Sequence, residues 1–135
     1  MRTYLTSNPT YYLLHPWVFF TELYKEIKAF FQRGLRGYAD CDLWSLGWYL
    51  MDWLPKALRQ FSRDTMSYPN DLTPKKWTKI LNEMADGFEA PDKCEEIYFS
   101  GEIKPEDHLE NVKVANKQLQ RSLKLFTKYF TDLWD

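Results

Sequence analysis

The most regular hydrophobic pattern of the chain lies in its C-terminal part, and this pattern constrains the fold most. Apolar residues recur there in steps of three and four, which places them on one face of an α-helix and does not fit the two-residue period of a strand. We therefore predict a long final helix from about Pro105 to Trp134. Its stripe comprises Leu109, Val112, Asn116, Leu119, Leu123, Phe126, Phe130 and Leu133.

This stripe has an a/d heptad register, so two packing modes are open. A coiled-coil dimer requires charged residues beside the stripe. Small and aromatic residues also flank it here, namely Ala115, Ser122, Tyr129 and Trp134. They widen the apolar face, as in a helix of a globular bundle. We favour intramolecular packing over a dimer zipper.

Two further helices are predicted in the first half of the chain. The first begins at Pro16, since proline suits the first helical position, and ends with Gly34 as its C-terminal cap. The second begins with Asp40 as its N-cap. Pro55 interrupts this second helix, so we expect a kink near Met51–Trp53 or two short helices that meet there.

A third helix is predicted to begin with Thr73 as its N-cap and to end at Gly87. Ile97–Phe99 is predicted as either a short helical turn or a short strand. Residues 1–15 are predicted to be an irregular N-terminal segment, with a possible extended piece at Tyr11–Leu14. The fold class expected for residues 1–135 is a single all-α domain, a bundle of four to five helices with a long C-terminal helix.

The aromatic content is high, with six Trp, nine Tyr and nine Phe among 135 residues. If these rings exceed what a small core can absorb, the rings left at the surface would mark an interface. The net charge of −1 argues against non-specific nucleic-acid binding and against a mimic of DNA. A local basic patch of Lys117, Arg121, Lys124 and Lys128 is interpreted as the solvated face of a helix, with nucleic-acid binding as a weaker alternative.

The location of the protein is predicted from its cysteines and its hydropathy. Cys41 and Cys94 form no C-x-x-C pair, and neither a signal peptide nor a membrane-spanning segment is recognisable. We expect a cytoplasmic protein with reduced thiols and without contact to a membrane.

The segment Arg33–Phe61 contains the candidate chemistry. Asp40 and Asp42 could supply carboxylates to a divalent metal, which would suit phosphate hydrolysis. The simpler interpretation is helix capping together with an ion pair to Arg36 or Arg33. We therefore expect no catalytic residue, no metal and no cofactor.

The same segment is rich in tryptophan. The simpler interpretation is that both faces of this helix are buried at the centre of the bundle. The alternative is an exposed tryptophan that anchors a partner. The candidate binding residues of the segment are Arg36, Asp40, Asp42, Trp44, Tyr49 and Trp53.

Four blocks of the chain carry a family resemblance. They are Phe31–Trp44, Tyr49–Phe61, Tyr68–Phe88 and Leu125–Asp135. Together they resemble a family of small phage and prophage proteins with an RGYxDxDxW turn, a YP loop, a W-x-x-I-L-x-x-M pattern and a C-terminal LWD. The resemblance implies a phage or prophage origin and action inside a bacterial cell, and it transfers no catalytic residue.

The expected function is protein–protein binding by a small phage-encoded intracellular protein. The partner would be a host or phage protein, and the action could be inhibition of a host defence system or an accessory role. The alternative is a metal-dependent nucleotide-binding or hydrolytic protein that uses acidic residues near Asp40 and Asp42. The oligomeric state is left open by the sequence.

Overall fold

The computed structural model describes residues 9–102 and 104–134, and all regular structure in these ranges is helical. The all-α class and the long C-terminal helix are therefore confirmed. The elements are α1 (Pro9–Leu14), α2 (Pro16–Arg36), α3 (Asp40–Leu43), α4 (Leu46–Asp64), α5 (Pro74–Phe99), α6 (Pro105–Tyr129) and a 3-10 turn (Phe130–Asp132).

The chain divides into two compact units, Met1–Leu50 and Met51–Asp135, and α4 runs across the division. The assignment of a single domain stays a prediction. The irregular N-terminal segment is wrong for residues 9–14, because α1 is helical where an extended piece was expected at Tyr11–Leu14. The rest of that prediction, for residues 1–8, lies outside the described residues.

The first predicted helix ends later than expected. It continues through Gly34, and the cap is Gly37, which adopts a left-handed φ of 82°. The backbone N–H of Gly37 donates to the carbonyl of Arg33 at 2.9 Å. Gly37 is therefore the position that requires glycine, since other residues rarely adopt this conformation.

The second predicted helix is divided, but at a different place from the one expected. The turn Trp44–Ser45 separates α3 from α4. Helix α4 is continuous past Pro55, so the two short helices expected to meet near Met51–Trp53 are absent from this described segment. The Pro55 ring is fully buried, and this burial offsets the loss of one backbone hydrogen bond.

The start of the third helix is confirmed, and its predicted end is wrong. The Thr73 hydroxyl accepts a hydrogen bond from the Lys76 N–H at 3.4 Å. Helix α5 then passes Gly87 and Pro91 and ends at Phe99, so Ile97–Phe99 is helical. The final helix begins at Pro105 as predicted, but it ends at Tyr129 instead of about Trp134, and a 3-10 turn follows it.

The core of the second unit is formed by α4, α5 and α6. The rings of Trp77 and Tyr129 meet edge to face at 5.4 Å, and those of Phe88 and Phe126 meet in the same way at 5.8 Å. The buried apolar cluster comprises Leu58, Trp77, Leu81, Met84, Ala85, Phe88 and Tyr129. Intramolecular packing of the final helix is therefore confirmed.

The buried face of α6 is shifted around the helix from the predicted leucine stripe. Its buried residues are Ala115, Ser122 and Tyr129, which follow one another at intervals of seven. Leu109 and Phe130 of the predicted stripe are exposed. The small side chains at the centre of the contact allow α6 to approach α5 closely.

Gly87 is a contact position and not a helix end. A Cβ atom at this position would lie 2.0 Å from the Ser122 hydroxyl oxygen and 2.8 Å from the Gln118 carbonyl oxygen. The Ser122 hydroxyl donates to the Glu83 carbonyl at 3.1 Å. Helices α5 and α6 therefore meet at Gly87 with no room for a side chain.

An ion-pair cluster joins α4 to α5 beside this core. The Arg59 guanidinium donates to both Glu89 carboxylate oxygens, at 3.1 and 2.8 Å, and to Asp86 at 2.8 Å. The Lys93 ammonium lies 2.7 Å from Glu89. The hydrogen bonds from Arg59 lower the pKa of Glu89 to about 2, so this carboxylate is charged throughout the physiological range.

The Gly87→Ala variant should be destabilised by about 1–2 kcal/mol, because the clash with Ser122 outweighs the gain in helix propensity. The matched control is Gly34→Ala. Gly34 also lies inside a helix, but a Cβ atom there would meet nothing within 4 Å beyond its chain neighbours and the adjacent backbone of its own helix. The Gly34→Ala variant should have the same free energy of unfolding as wild type or one higher by about 0.5–1 kcal/mol. Urea unfolding followed by circular dichroism measures both, and equal effects would contradict the contact assigned to Gly87.

Candidate functional site

The acidic turn is built around a buried ion pair between the end of α2 and α3. The Arg33 guanidinium donates two hydrogen bonds to the Asp42 carboxylate, at 2.9 and 2.7 Å. Both side chains are withdrawn from solvent, with 11% of Arg33 and 1% of Asp42 exposed. A bidentate pair of this kind restricts both side chains to one geometry. It therefore holds the turn in a defined conformation.

Asp42 also caps the helix that contains it. Its carboxylate accepts a hydrogen bond from the Ala39 N–H at 2.8 Å. The N-cap of α3 is thus Ala39, and the prediction of Asp40 as the N-cap is wrong by one residue. A carboxylate in the first turn satisfies the N–H of the cap residue from inside the helix, as in one half of a capping box. The hydrogen bonds from Arg33 are the main cause of the lowered pKa of Asp42.

Asp40 is held on the outer side of the same turn. Its carboxylate pairs with Arg36 and accepts a hydrogen bond from the Gln32 amide at 2.7 Å. The Asp40 N–H donates back to the Gln32 side-chain oxygen at 3.0 Å. The Gln32 hydrogen bond, followed by the one from Arg36, lowers the pKa of this exposed carboxyl.

The two carboxylates therefore have partners from α2. An ion pair with Arg36 or Arg33 was expected, and both are present. A metal at this turn would have to displace guanidinium groups from Asp40 and Asp42. Within residues 9–102 and 104–134, no group of three or more His, Cys, Asp or Glu side chains is placed to hold a metal ion.

Tyr49 ties the start of α4 to the same turn. Its hydroxyl donates to the Gly37 carbonyl at 2.6 Å, and its ring is half-buried. The left-handed cap at Gly37 is thus bound both to α2, through its N–H, and to α4, through its carbonyl. Tyr49 therefore has a structural role in the first unit.

The tryptophans near the turn are exposed. Trp44 follows the last residue of α3, and 84% of its surface is in solvent. Trp48, near the start of α4, is also exposed. Trp53 belongs to the second unit, where its ring is exposed as well. The interpretation that both faces of this helix are buried is wrong for all three rings.

Sequence reasoning missed two features of the molecule. The first is Gln32, which holds Asp40 through two hydrogen bonds. Its role was not visible because the predicted helix ended at Gly34, whereas α2 continues to Arg36. The second feature is a groove of about 320 Å³ between α5 and α6. It is lined mainly by Ala90, Cys94, Ile97, Val114, Ala115 and Gln118. The residues of the basic patch, in contrast, are all exposed, as expected of a solvated face.

No protein-family model matches the chain, and neither a curated protein nor a solved structure is significantly similar to it. No helix in the described part of the chain combines the length and the apolar character needed to cross a membrane.

Asp42→Asn should reduce the free energy of unfolding by about 3 kcal/mol at neutral pH, because it leaves Arg33 buried without its counter-charge. Asp40→Asn is the matched control, and it should cost much less than Asp42→Asn, because 59% of the Asp40 side chain is exposed. Urea unfolding at neutral pH measures both. Equal costs would contradict the bracing role of the buried pair.

The stabilisation from Asp42 should also depend on pH. Its pKa is lower in the folded protein than in the unfolded chain, so the contribution is complete above the unfolded value of about 4 and is lost as the pH falls below it. The difference in stability between wild type and Asp42→Asn should therefore shrink in acid. A difference that stayed constant between neutral pH and strong acid would contradict this assignment.

Proposed function

We propose that the chain is a small phage-encoded protein that acts by binding another protein, of the host or of the phage, and that Trp44 anchors the contact. The observation that carries the proposal is the exposure of Trp44 on a braced turn. The phage origin is supported by the resemblance of the four sequence blocks, which include this turn.

Both the area of the Trp44 ring and the rigidity of its support favour binding. A tryptophan contributes roughly 200 Å² of contact area, so covering the exposed part of Trp44 would yield about 4 kcal/mol before other costs. The pairs Arg33–Asp42 and Arg36–Asp40 already fix the backbone that carries it. Binding would therefore lose little conformational entropy at this position. These are the properties of a hot-spot residue.

The candidate binding residues have different roles in this proposal. Arg36, Asp40 and Asp42 position the turn, and Tyr49 attaches α4 to it. Trp44 makes the contact. Trp53, in the second unit, is not required by the proposal.

The test compares Trp44→Ala with Trp134→Ala as bait in pull-downs from infected bacterial cells, followed by calorimetry with the purified partner. Trp134 is the matched control, because it is also an exposed tryptophan but lies in the second unit. Trp44→Ala should weaken binding by at least about 30-fold, and Trp134→Ala should leave it unchanged. A partner that binds both variants as well as wild type, or the absence of a specific partner, would refute the proposal.

A further inference from the structure

A second surface of the first unit lies on α2, away from the acidic turn. Its residues recur in steps of three and four, and all of them are exposed. We call them the α2 stripe, which comprises Trp17, Phe20, Tyr24, Ile27, Phe31 and Leu35. On an ideal helix they fall within an arc of about 80°. The α2 stripe therefore forms one continuous apolar face.

The neighbours of α2 within its unit lie on other faces of the helix. The Tyr12 hydroxyl of α1 donates to Glu22 at 2.5 Å, and the Tyr12 ring meets Phe19 at 5.3 Å. The acidic turn reaches α2 through Arg33. Ala29, on the side opposite the stripe, is buried. The contacts with α1 and α3 thus leave the α2 stripe uncovered.

The first unit also buries very little apolar surface. Among its described side chains, the buried ones are Ala29, Ala39 and Asp42. Two alanines contribute little to stability, and most helical stability in proteins comes from packing of an apolar face. The unit therefore leaves most of its large apolar side chains exposed. Covering the α2 stripe would supply the missing burial.

We propose that the α2 stripe is a self-association surface, covered by the α2 stripe of a second copy of this chain. The six side chains offer about 800 Å², which is the area that each partner contributes to a stable interface of standard size. A two-fold contact requires a surface that complements itself. The α2 stripe meets this requirement, since it contains no charged side chain to repel its copy and has the a/d spacing that interlocks helices.

The choice of a second copy over another protein follows from the composition and the area of the surface. The uncharged α2 stripe can pack against its own copy without opposite charges on a different partner, and its area matches what each side of a stable two-fold interface contributes. The surface is separate from Trp44, so the proposal does not depend on the proposed function.

The experiment is sedimentation velocity on the full chain over a wide range of micromolar concentrations. Wild type should sediment as a dimer. Phe20→Glu and Phe31→Glu should each weaken the dimer by about 100-fold, because each places a charge in an apolar contact. These rings are 62% and 60% exposed, so neither substitution removes a core residue.

Phe99→Glu is the matched control. Phe99 is 80% exposed and lies at the end of α5, outside the stripe, so this variant should remain dimeric. Trp44→Ala should also remain dimeric, which separates this proposal from the binding function of the acidic turn. Circular dichroism of each variant monitors its helix content. A monomer at all concentrations, or a dimer that is as sensitive to Phe99→Glu as to Phe20→Glu, would overturn the proposal.

Discussion

The close approach of α5 and α6 at Gly87 determines the packing of the second unit. The Ser122 side chain occupies the space where any other residue at position 87 would place its Cβ. One turn or more to either side, Ala90 and Cys94 meet Ala115, and Trp77 meets Tyr129. The register between the two longest helices, α5 and α6, is therefore set by the smallest side chains. The large residues of the predicted leucine stripe lie beside this contact line or outside it.

The helical class of the chain could be predicted because periodicity is a local property of the sequence. The starts of α2, α5 and α6 could be predicted for the same reason, since a proline at the first helical position acts locally. The ends of the helices could not. Gly34, Gly37 and Gly87 look alike in the sequence, but only Gly37 has the left-handed conformation of a cap. What distinguishes Gly87 is a neighbour on another helix, 35 positions further along the chain.

The candidate site was predictable in its charges and not in its exposure. Opposite charges a few residues apart at a turn indicated an ion pair with Arg36 or Arg33, and the structure contains both, Asp40 with Arg36 and Asp42 with Arg33. The identity of the N-cap was missed, because the Asp42 carboxylate reaches back to the Ala39 N–H. The exposure of Trp44 and of the α2 stripe was not predictable, because an apolar stripe has the same periodicity whether it faces a core or a partner.

The two units use their aromatic residues in different ways. In the second unit, Trp77, Phe88 and Tyr129 are buried and stabilise the fold. In the first unit, Trp17, Phe20 and Phe31 are exposed, and their burial in the unit's own core contributes little. Exposed rings favour aggregation, so a chain that keeps them in solvent carries a disadvantage unless they are covered in the working state. The second unit also exposes rings, such as Phe99 and Trp134, but it has a buried aromatic core beside them, whereas the buried side chains described in the first unit include no aromatic ring.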